Sequence, residues 1–209
     1  MFRSLRSIAI LSAISMLAAC ASVPRSAPSI AAPPDVWSER RALLQTVARF
    51  DLSGRIAVAI GDEGYSATLR WRQSRHDSSV ELDGPLGVGG LRLRLEGERL
   101  ALRGAGGGEL GGERARIELE RRLGASVPLG SLRYWLLGVP DPAVPAAEQP
   151  TADGRSIAGF EQAGWRVTIT RYAPWESSAW VLPQRLELAR EGGAVRLRLL
   201  VDRWREFRP

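Results

Sequence analysis

The chain contains no lysine, and histidine and cysteine occur once each, so all 29 residues counted as Lys or Arg are arginine. His76 lies in the polar stretch QSRHDSS, where a Ser–His–Asp triad would have to be built on an exposed turn. A Ser–Lys dyad lacks its lysine, and a metal centre built on several cysteines or histidines lacks its ligands. Asp and Glu are scattered over polar strand positions, where solvated charge is the ordinary role. The composition therefore argues against an enzyme, and we expect no cofactor.

Because Cys20 is the lone cysteine, a disulfide within the chain is excluded. It follows Arg3, Arg6 and an apolar run over residues 8–17, and together these features are an export signal. The apolar run is shorter than the roughly 20 apolar residues that a membrane-spanning helix needs. The ending Leu-Ala-Ala-Cys resembles the bacterial lipobox. That resemblance implies cleavage before Cys20, diacylglycerol on its thiol and an acyl group on its new amine. We therefore predict a signal peptide over residues 1–19.

The residue after the cysteine is Ala21 and not Asp. By resemblance to the sorting rules of such lipoproteins, this predicts an outer-membrane protein that is held by its acyl chains and faces the periplasm. Residues 22–34 are rich in Pro, Ala and Ser, so residues 20–35 are interpreted as the acylated cysteine with a flexible tether. Residues 36–209 make one domain of ordinary length, which we expect to be a monomer.

The formal net charge of +6 would normally suggest a nucleic-acid partner, but export removes most nucleic acid from reach. The arginines also alternate with apolar residues along strand-like segments, so they are interpreted as a solvated sheet face. A second interpretation is attraction to anionic lipid headgroups or to an acidic protein.

Apolar spacing predicts helices over residues 37–49, 113–123 and 128–138. Strict alternation predicts nine strands, near residues 55–60, 65–72, 80–82, 91–96, 100–103, 155–160, 165–171, 182–190 and 194–204. Residues 104–112 lack the Gly-Lys-Ser/Thr of a phosphate loop and are predicted as a long hairpin tip, and residues 139–150 as a proline-rich excursion.

These segments predict a mainly β (α+β) fold. We expect an antiparallel sheet of about nine to eleven strands whose single apolar face curls into a half-open barrel, partly covered by short helices. Its interior is either a solid core or a cavity for acyl chains, which periodicity cannot separate. The strands of a transmembrane barrel would also alternate apolar and polar residues, but such a barrel needs no lipobox, and aromatic girdles are not apparent in the sequence.

The loop over residues 83–90, DGPLGVGG, has turn-forming residues on both sides of one large apolar side chain, Leu86. Pro85 and Gly87 flank it, so the segment is expected to leave the sheet. Burying a leucine is worth roughly 1.5–3 kcal/mol, so an exposed Leu86 would suggest an apolar partner or a bilayer. The alternative is that Leu86 folds back into the core.

Several motifs occur in an order that carries a resemblance over nearly the whole exported chain. They are Trp37, FDLSGR at 50–55, Tyr65 and Trp71, GPLG at 84–87, PL at 128–129 with Leu132, WLLGVP at 135–140, GWRV at 164–167, LPQRL at 182–186, and Leu197 with Trp204. Together with the lipobox, this order resembles the LolB family of outer-membrane lipoprotein receptors.

The resemblance implies an unclosed antiparallel barrel with a helical lid and a hydrophobic cavity. It further implies a receptor that takes lipoproteins from the periplasmic carrier LolA and places their acyl chains among outer-membrane phospholipids. Leu86, between Pro85 and Gly87, occupies the position of the family's membrane-insertion residue. The residues predicted to line the cavity or its lid are Tyr65, Leu69, Trp71, Leu132, Trp135 and Leu136. The alternative function is a scaffold lipoprotein with a solid core that binds an envelope partner.

Overall fold

The computed structural model describes residues 36–84, 90–104, 106–176 and 178–208. Three helices lie in this part of the chain: α1 (Trp37–Thr46), α2 (Glu113–Leu123) and α3 (Leu129–Leu136). The strands are β1 (Arg49–Ile60), β2 (Glu63–Ser74), β3 (Asp77–Asp83), β4 (Leu91–Glu96), β5 (Arg99–Arg103), β6 (Glu109–Gly111), β7 (Ala146–Pro150), β8 (Ile157–Gln162), β9 (Trp165–Pro174), β10 (Val181–Arg190) and β11 (Val195–Arg208).

All eleven strands belong to one antiparallel sheet in the order β6-β5-β4-β3-β2-β1-β11-β10-β9-β8-β7. The first and last strands, β1 and β11, pair in the middle of the sheet. Strands β6 and β7 form the two edges and do not pair with each other, so the barrel is unclosed. Helices α2 and α3 lie between β6 and β7 in the chain and connect the two edges. The predicted fold class is therefore confirmed.

The alternating sequence gives the sheet two unlike faces. In β11 buried residues alternate with exposed arginines, because successive side chains of a strand point to opposite faces. On the convex face, arginines meet carboxylates of neighbouring strands, as in the pairs Arg198–Glu187 at 3.3 Å and Arg70–Glu81 at 3.7 Å. These pairs are solvent-exposed and contribute little stability. The apolar concave face provides the main driving force for folding.

One half of the concave face is filled by aromatic rings. Phe207 makes edge-to-face contacts with Trp175, Trp180 and Trp204, at centroid distances of 5.3, 5.4 and 6.5 Å. Helix α1 covers this cluster with Arg40, whose guanidinium lies 5.5 Å from the ring centroid of Trp180 and donates to the carbonyl oxygen of Val181. Burial lowers the pKa of Arg40. This half of the barrel is a solid core.

The structure differs from the sequence predictions at the two sheet edges. The predicted hairpin tip over residues 104–112 contains β6, and the predicted excursion over residues 139–150 contains β7. Both strands are short and pair on one side only, so neither needs the alternating pattern that identifies a strand with one buried face. The helix predicted over residues 37–49 ends at Thr46, because β1 begins at Arg49.

Candidate functional site: an apolar cavity under the helices

The other half of the concave face encloses an apolar cavity of about 120 Å³. Strands β1 to β5, β10 and β11 form its wall, and α2, α3 and their connection form its roof. Its lining residues are Ile56, Val58, Leu69, Trp71, Ser78, Val80, Leu82, Leu91, Leu93, Leu95, Leu100, Leu119, Leu123, Val127, Leu129, Leu132, Leu136, Leu188, Leu197 and Leu199. The wall is almost wholly aliphatic, in contrast to the aromatic half of the barrel.

The polar groups at the cavity wall are satisfied within the protein. The hydroxyl of Ser78 donates to Oε1 of Gln73 at 2.7 Å, and Nε1 of Trp71 donates to the same oxygen at 3.1 Å. Nε2 of Gln73 in turn donates to the carbonyl oxygen of Arg75 at 2.9 Å. Because these groups are paired with one another, they do not require a polar ligand. The cavity is therefore suited to hydrocarbon.

Helix α2 forms the more lightly attached part of the roof. Its buried side is a single stripe of Ala115 and Leu119, continued by Leu123. Its outer side carries Glu118, whose pKa is held at about 2 by hydrogen bonds from Arg121 and Arg122. These three charged groups belong to one helix, so they stabilise α2 itself and do not attach it to the sheet. A hydrogen bond to the sheet comes from Arg116, whose guanidinium donates to the carbonyl oxygen of Glu98 between β4 and β5 at 2.8 Å, and this bond is solvent-exposed.

Helix α3 is attached more firmly, through the buried side chain of Gln162 on β8. Oε1 of Gln162 accepts hydrogen bonds from Nε1 of Trp135 at 2.7 Å and from the backbone N–H of Asp141 at 2.9 Å. Its Nε2 donates to the carbonyl oxygens of Asp141 at 3.0 Å and Val144 at 2.7 Å. All four hydrogen-bonding positions of the amide are used. Gln162 therefore joins α3 and the following loop to the sheet.

The cavity opens at the end of the barrel where β1 ends and β2 begins. Along β1, the inward-facing residues change from fully buried Leu52 to half-buried Ile56 and Val58. The connection between α2 and α3 lies over this end, since Gly124 has φ +66° and an added Cβ would lie 2.9 Å from Cγ2 of Ile60. The mouth is therefore between the α2–α3 connection and the extended ends of β1 and β2.

Four of the six residues predicted to line a cavity do line it: Leu69, Trp71, Leu132 and Leu136. Tyr65 has the same strand parity, but it lies beyond the mouth, is 56% exposed and donates its hydroxyl to Glu63. Parity identifies the face of the sheet and not the position along it. The position along the strand decides whether a residue is enclosed.

Trp135 lies on the neighbouring side of α3 and does not line the cavity. It is 1% exposed, and its ring is 6.3 Å from that of Phe160 and 6.4 Å from that of Trp165. Because an indole N–H needs an acceptor when buried, the side chain is oriented by its bond to Gln162. Trp135 therefore belongs to the aromatic core.

Cys20, Pro85, Leu86 and Gly87 lie outside the described residues. Both flanks of the predicted loop belong to the described part of the chain. Leu82, near the end of β3, and Leu91, at the start of β4, form a cross-strand pair, and both line the cavity. The loop thus begins and ends at the cavity wall, close to its mouth.

Sequence reasoning did not select the opposite wall of the cavity, which includes Val80, Leu93, Leu95 and Leu100. Their alternation was visible, but only the curvature of the sheet brings β3, β4 and β5 to face α2. Within the described part of the chain, no three His, Cys, Asp or Glu side chains are grouped so that they could hold a metal ion. None of the described helices is long and apolar enough to span a membrane.

Comparison with known proteins places this architecture in a family. The family model described as "Outer membrane lipoprotein LolB" matches residues 48–204. The outer-membrane lipoprotein LolB of Nitrosococcus oceani is 34% identical over 195 residues, covering 93% of this chain and 94% of that protein. The LolB of Stutzerimonas stutzeri is 32% identical over 168 residues, covering 80% of this chain and 79% of that protein.

Among solved structures, a DUF1329 family protein from Desulfovibrio piger has a TM-score of 0.53 at 9% identity, covering 81% of this chain and 88% of that one. At this identity the likeness concerns the fold alone. The match to the family model and the two relatives carry the assignment: this chain belongs to the LolB family and is an outer-membrane lipoprotein.

Proposed function

We propose that this protein accepts lipoproteins from the soluble periplasmic carrier LolA, shields their acyl chains in the cavity and inserts them into the outer membrane. The observation that carries the proposal is the hydrocarbon-lined cavity with a mouth at one end of the barrel, in an outer-membrane lipoprotein of this family. A protein with only a structural role gains nothing from an unfilled space in its core. Apolar shielding is worth about 0.8 kcal/mol per buried CH₂, so transfer can proceed wherever the bilayer buries the chains better than the cavity does.

The cavity volume bears on how a chain enters. An apolar cavity of about 150 Å³ holds one benzene molecule, so a space of about 120 Å³ holds only part of an acyl chain. Loading therefore requires the roof to move outward. Helix α2 is the part expected to move, since it is attached by the stripe of Ala115 and Leu119 and by the exposed hydrogen bond of Arg116, whereas α3 is joined to the sheet by the buried bonds of Gln162.

Leu86 has a separate role in this proposal. Its setting in Pro-Leu-Gly resembles the family's insertion loop, and the loop begins and ends beside the cavity mouth at Leu82 and Leu91. An apolar side chain there would contact the bilayer when the acyl chains leave. Insertion would then depend on Leu86, while loading would not.

A transfer assay from acyl-loaded carrier to membrane vesicles tests the proposal. Leu132→Glu introduces a carboxylate into the cavity wall at a half-buried position, and we expect a folded protein whose transfer rate falls roughly tenfold or more, since burying an unpaired charge beside hydrocarbon is costly. The matched control is Leu43→Glu, at a position that is 41% exposed on α1. Normal transfer by folded Leu132→Glu would contradict the proposal.

The alternative is a scaffold lipoprotein that binds an envelope partner and carries no acyl chain. The small cavity volume is the observation that favours it. Titration with an apolar fluorescent ligand separates the two functions. If this protein shields acyl chains, it binds the ligand saturably, acyl chains displace the ligand, and Leu132→Glu weakens its binding. A scaffold shows no saturable binding.

A further inference from the structure

The two edge strands of the sheet, β6 and β7, are both protected. At β7, Trp37 and Arg41 of α1 both bind the carboxylate of Glu148, and the strand ends in a register shift at Pro150. At β6, the edge is only three residues long. Covering, proline, irregularity and shortness are the usual means by which proteins prevent a strand edge from pairing with another chain.

Strands β2, β9 and β11 each extend beyond one neighbour and so pair on one side only for part of their length. In the described part of the chain, the one-sided segment of β2 has none of the protections seen at β6 and β7. Strand β3 pairs with β2 only from Thr68 onward, where Thr68 lies opposite Asp83. Residues Glu63–Ala67 pair with β1 without a register shift, and no described residue pairs with their other side. The segment reads Glu-Gly-Tyr-Ser-Ala, so it contains no proline. It is a regular edge of five residues, paired with β1 on one side.

The two turns that bound β2 determine which backbone groups are free. A two-residue hairpin loop is closed by a hydrogen-bonded pair, and hydrogen-bonded pairs then alternate along the ladder. Ile60 and Glu63 close the β1–β2 hairpin, so Tyr65 and Ala67 also bond to β1. Gly64 and Ser66 consequently direct their N–H and C=O groups toward the open edge.

The β2–β3 hairpin gives the same result independently. Its closing pair is Ser74 and Asp77, so the even-numbered residues of β2 bond toward β3 as far as Thr68. Beyond Thr68, Gly64 and Ser66 continue this series without a described partner. Two residues therefore offer four backbone groups in the geometry that an added strand requires.

This edge is located at the cavity mouth. Leu69, which lines the cavity, is the neighbour of Thr68, and Tyr65 presents its exposed ring on the concave side of the edge. A polypeptide joined to acyl chains in the cavity would leave the mouth beside these residues. The edge and the cavity thus form one continuous surface.

We propose that the β2 edge, defined as residues Glu63–Ala67, binds the polypeptide that directly follows the acylated cysteine of a client lipoprotein, as an added strand. The inference rests on the proposed function and names a second contact for the same substrate. Backbone pairing reads no side chains, so it suits a receptor whose clients share acyl chains but not sequences. The ring of Tyr65 supplies an apolar contact for one client side chain.

Ser66→Pro tests the edge selectively. Proline removes the outward N–H and introduces a ring toward the incoming strand, while Ser66 donates no backbone bond to β1 by the alternation above. Edge strands tolerate proline, and the preceding Tyr65 is already extended, as a residue before proline prefers. Ser66→Ala is the matched control, because it keeps the N–H. Both changes are made in the exported chain, residues 20–209, with Cys20→Ala in place of the acylated cysteine.

Four fluorescent probes are titrated. They are diacylglyceryl-cysteine amide, the same lipid cysteine followed by ten Ser and Ala residues, and two versions of that lipopeptide, one N-methylated at the odd-numbered and one at the even-numbered residues of the peptide. We expect the lipopeptide to bind roughly tenfold more tightly than the amide, and one of the two N-methylated versions to lose this gain. Ser66→Pro should bring the ratio of the lipopeptide and amide affinities close to one, and Ser66→Ala should preserve the roughly tenfold ratio. Loading should also slow hydrogen exchange of the Gly64 and Ser66 amides.

Equal binding of lipopeptide and amide by the unsubstituted edge would overturn strand addition and leave the proposed function intact. Absence of saturable binding by every acylated probe would overturn both. Slow exchange of the Gly64 and Ser66 amides before any probe is added would also overturn the inference, because another segment would already occupy the edge. The N-methylation comparison needs no substitution, so it decides the question even if Ser66→Pro does not fold.

Discussion

Filling the cavity should separate stability from function. An apolar cavity of about 120 Å³ lowers the free energy of unfolding by up to about 3 kcal/mol, at the ~24 cal/mol per Å³ of a closed cavity. Val80 on β3 lines the cavity and is 8% exposed, so Val80→Phe directs a ring into this space. Strain from the larger side chain offsets part of the gain. We expect the free energy of unfolding to rise by about 1 kcal/mol.

The same substitution should abolish transfer of acyl chains from carrier to vesicles, because the ring occupies the space that the chain needs. Stability is measured by chemical denaturation, and transfer by the assay described above. Val36→Phe is the control, since Val36 is 55% exposed and the same enlargement there should change neither quantity. A stabilised Val80→Phe protein that transfers normally would refute the cavity's role. A loss of several kcal/mol would refute the existence of the space.

Three further results are expected. Gln162→Leu should lower the free energy of unfolding by about 3 kcal/mol, because it leaves the buried N–H of Trp135 and the backbone groups of the α3–β7 loop unpaired. Gln149→Leu, at an exposed position of β7, should change the free energy of unfolding little in the same denaturation experiment. Leu86→Glu should leave folding and carrier binding intact but stop insertion, and a folded variant that inserts normally would contradict the role of Leu86. The depressed pKa of Glu118 means that its ion pairs stabilise α2 fully above the ordinary Glu pKa and are lost as pH falls through about 2. The protection of the α2 amides, measured as their exchange rate relative to the intrinsic rate at each pH, should therefore fall over that range, and Glu118→Gln should remove this fall.

The sheet and its faces could be predicted from sequence because burial on one face imposes period two on every long strand. Strand parity selected Leu69 and Trp71 within the cavity that the family resemblance implied, and both line the cavity of the structure. Helix α2 was predicted at its observed bounds, since Ala115, Leu119 and Leu123 repeat every four residues and Gly124 follows with φ +66°. Local rules suffice where one element has one buried side.

The remaining features depend on relations between elements, which a single sequence does not contain. Whether Tyr65 is enclosed depends on where β3 stops pairing with β2, and not on Tyr65. Whether Trp135 lines a cavity or a core depends on Gln162, 27 positions later in the chain. The free edge of β2 likewise follows from the shortness of β3 and from the two hairpin turns, so it could be recognised only from the register.

The division of the barrel into two halves explains how the fold keeps an unfilled space. Aromatic pairs contribute about 0.5–1.5 kcal/mol each beyond their buried area, and Phe207 alone takes part in three of them. The cavity penalty of up to about 3 kcal/mol is of the same size, so the aromatic half can offset it. Because Phe207 is at the end of β11 and the cavity mouth is at the other end of the barrel, stability and binding are located in different places. Movement of α2 can then open the aliphatic half without disturbing the contacts that hold β1 and β11 together.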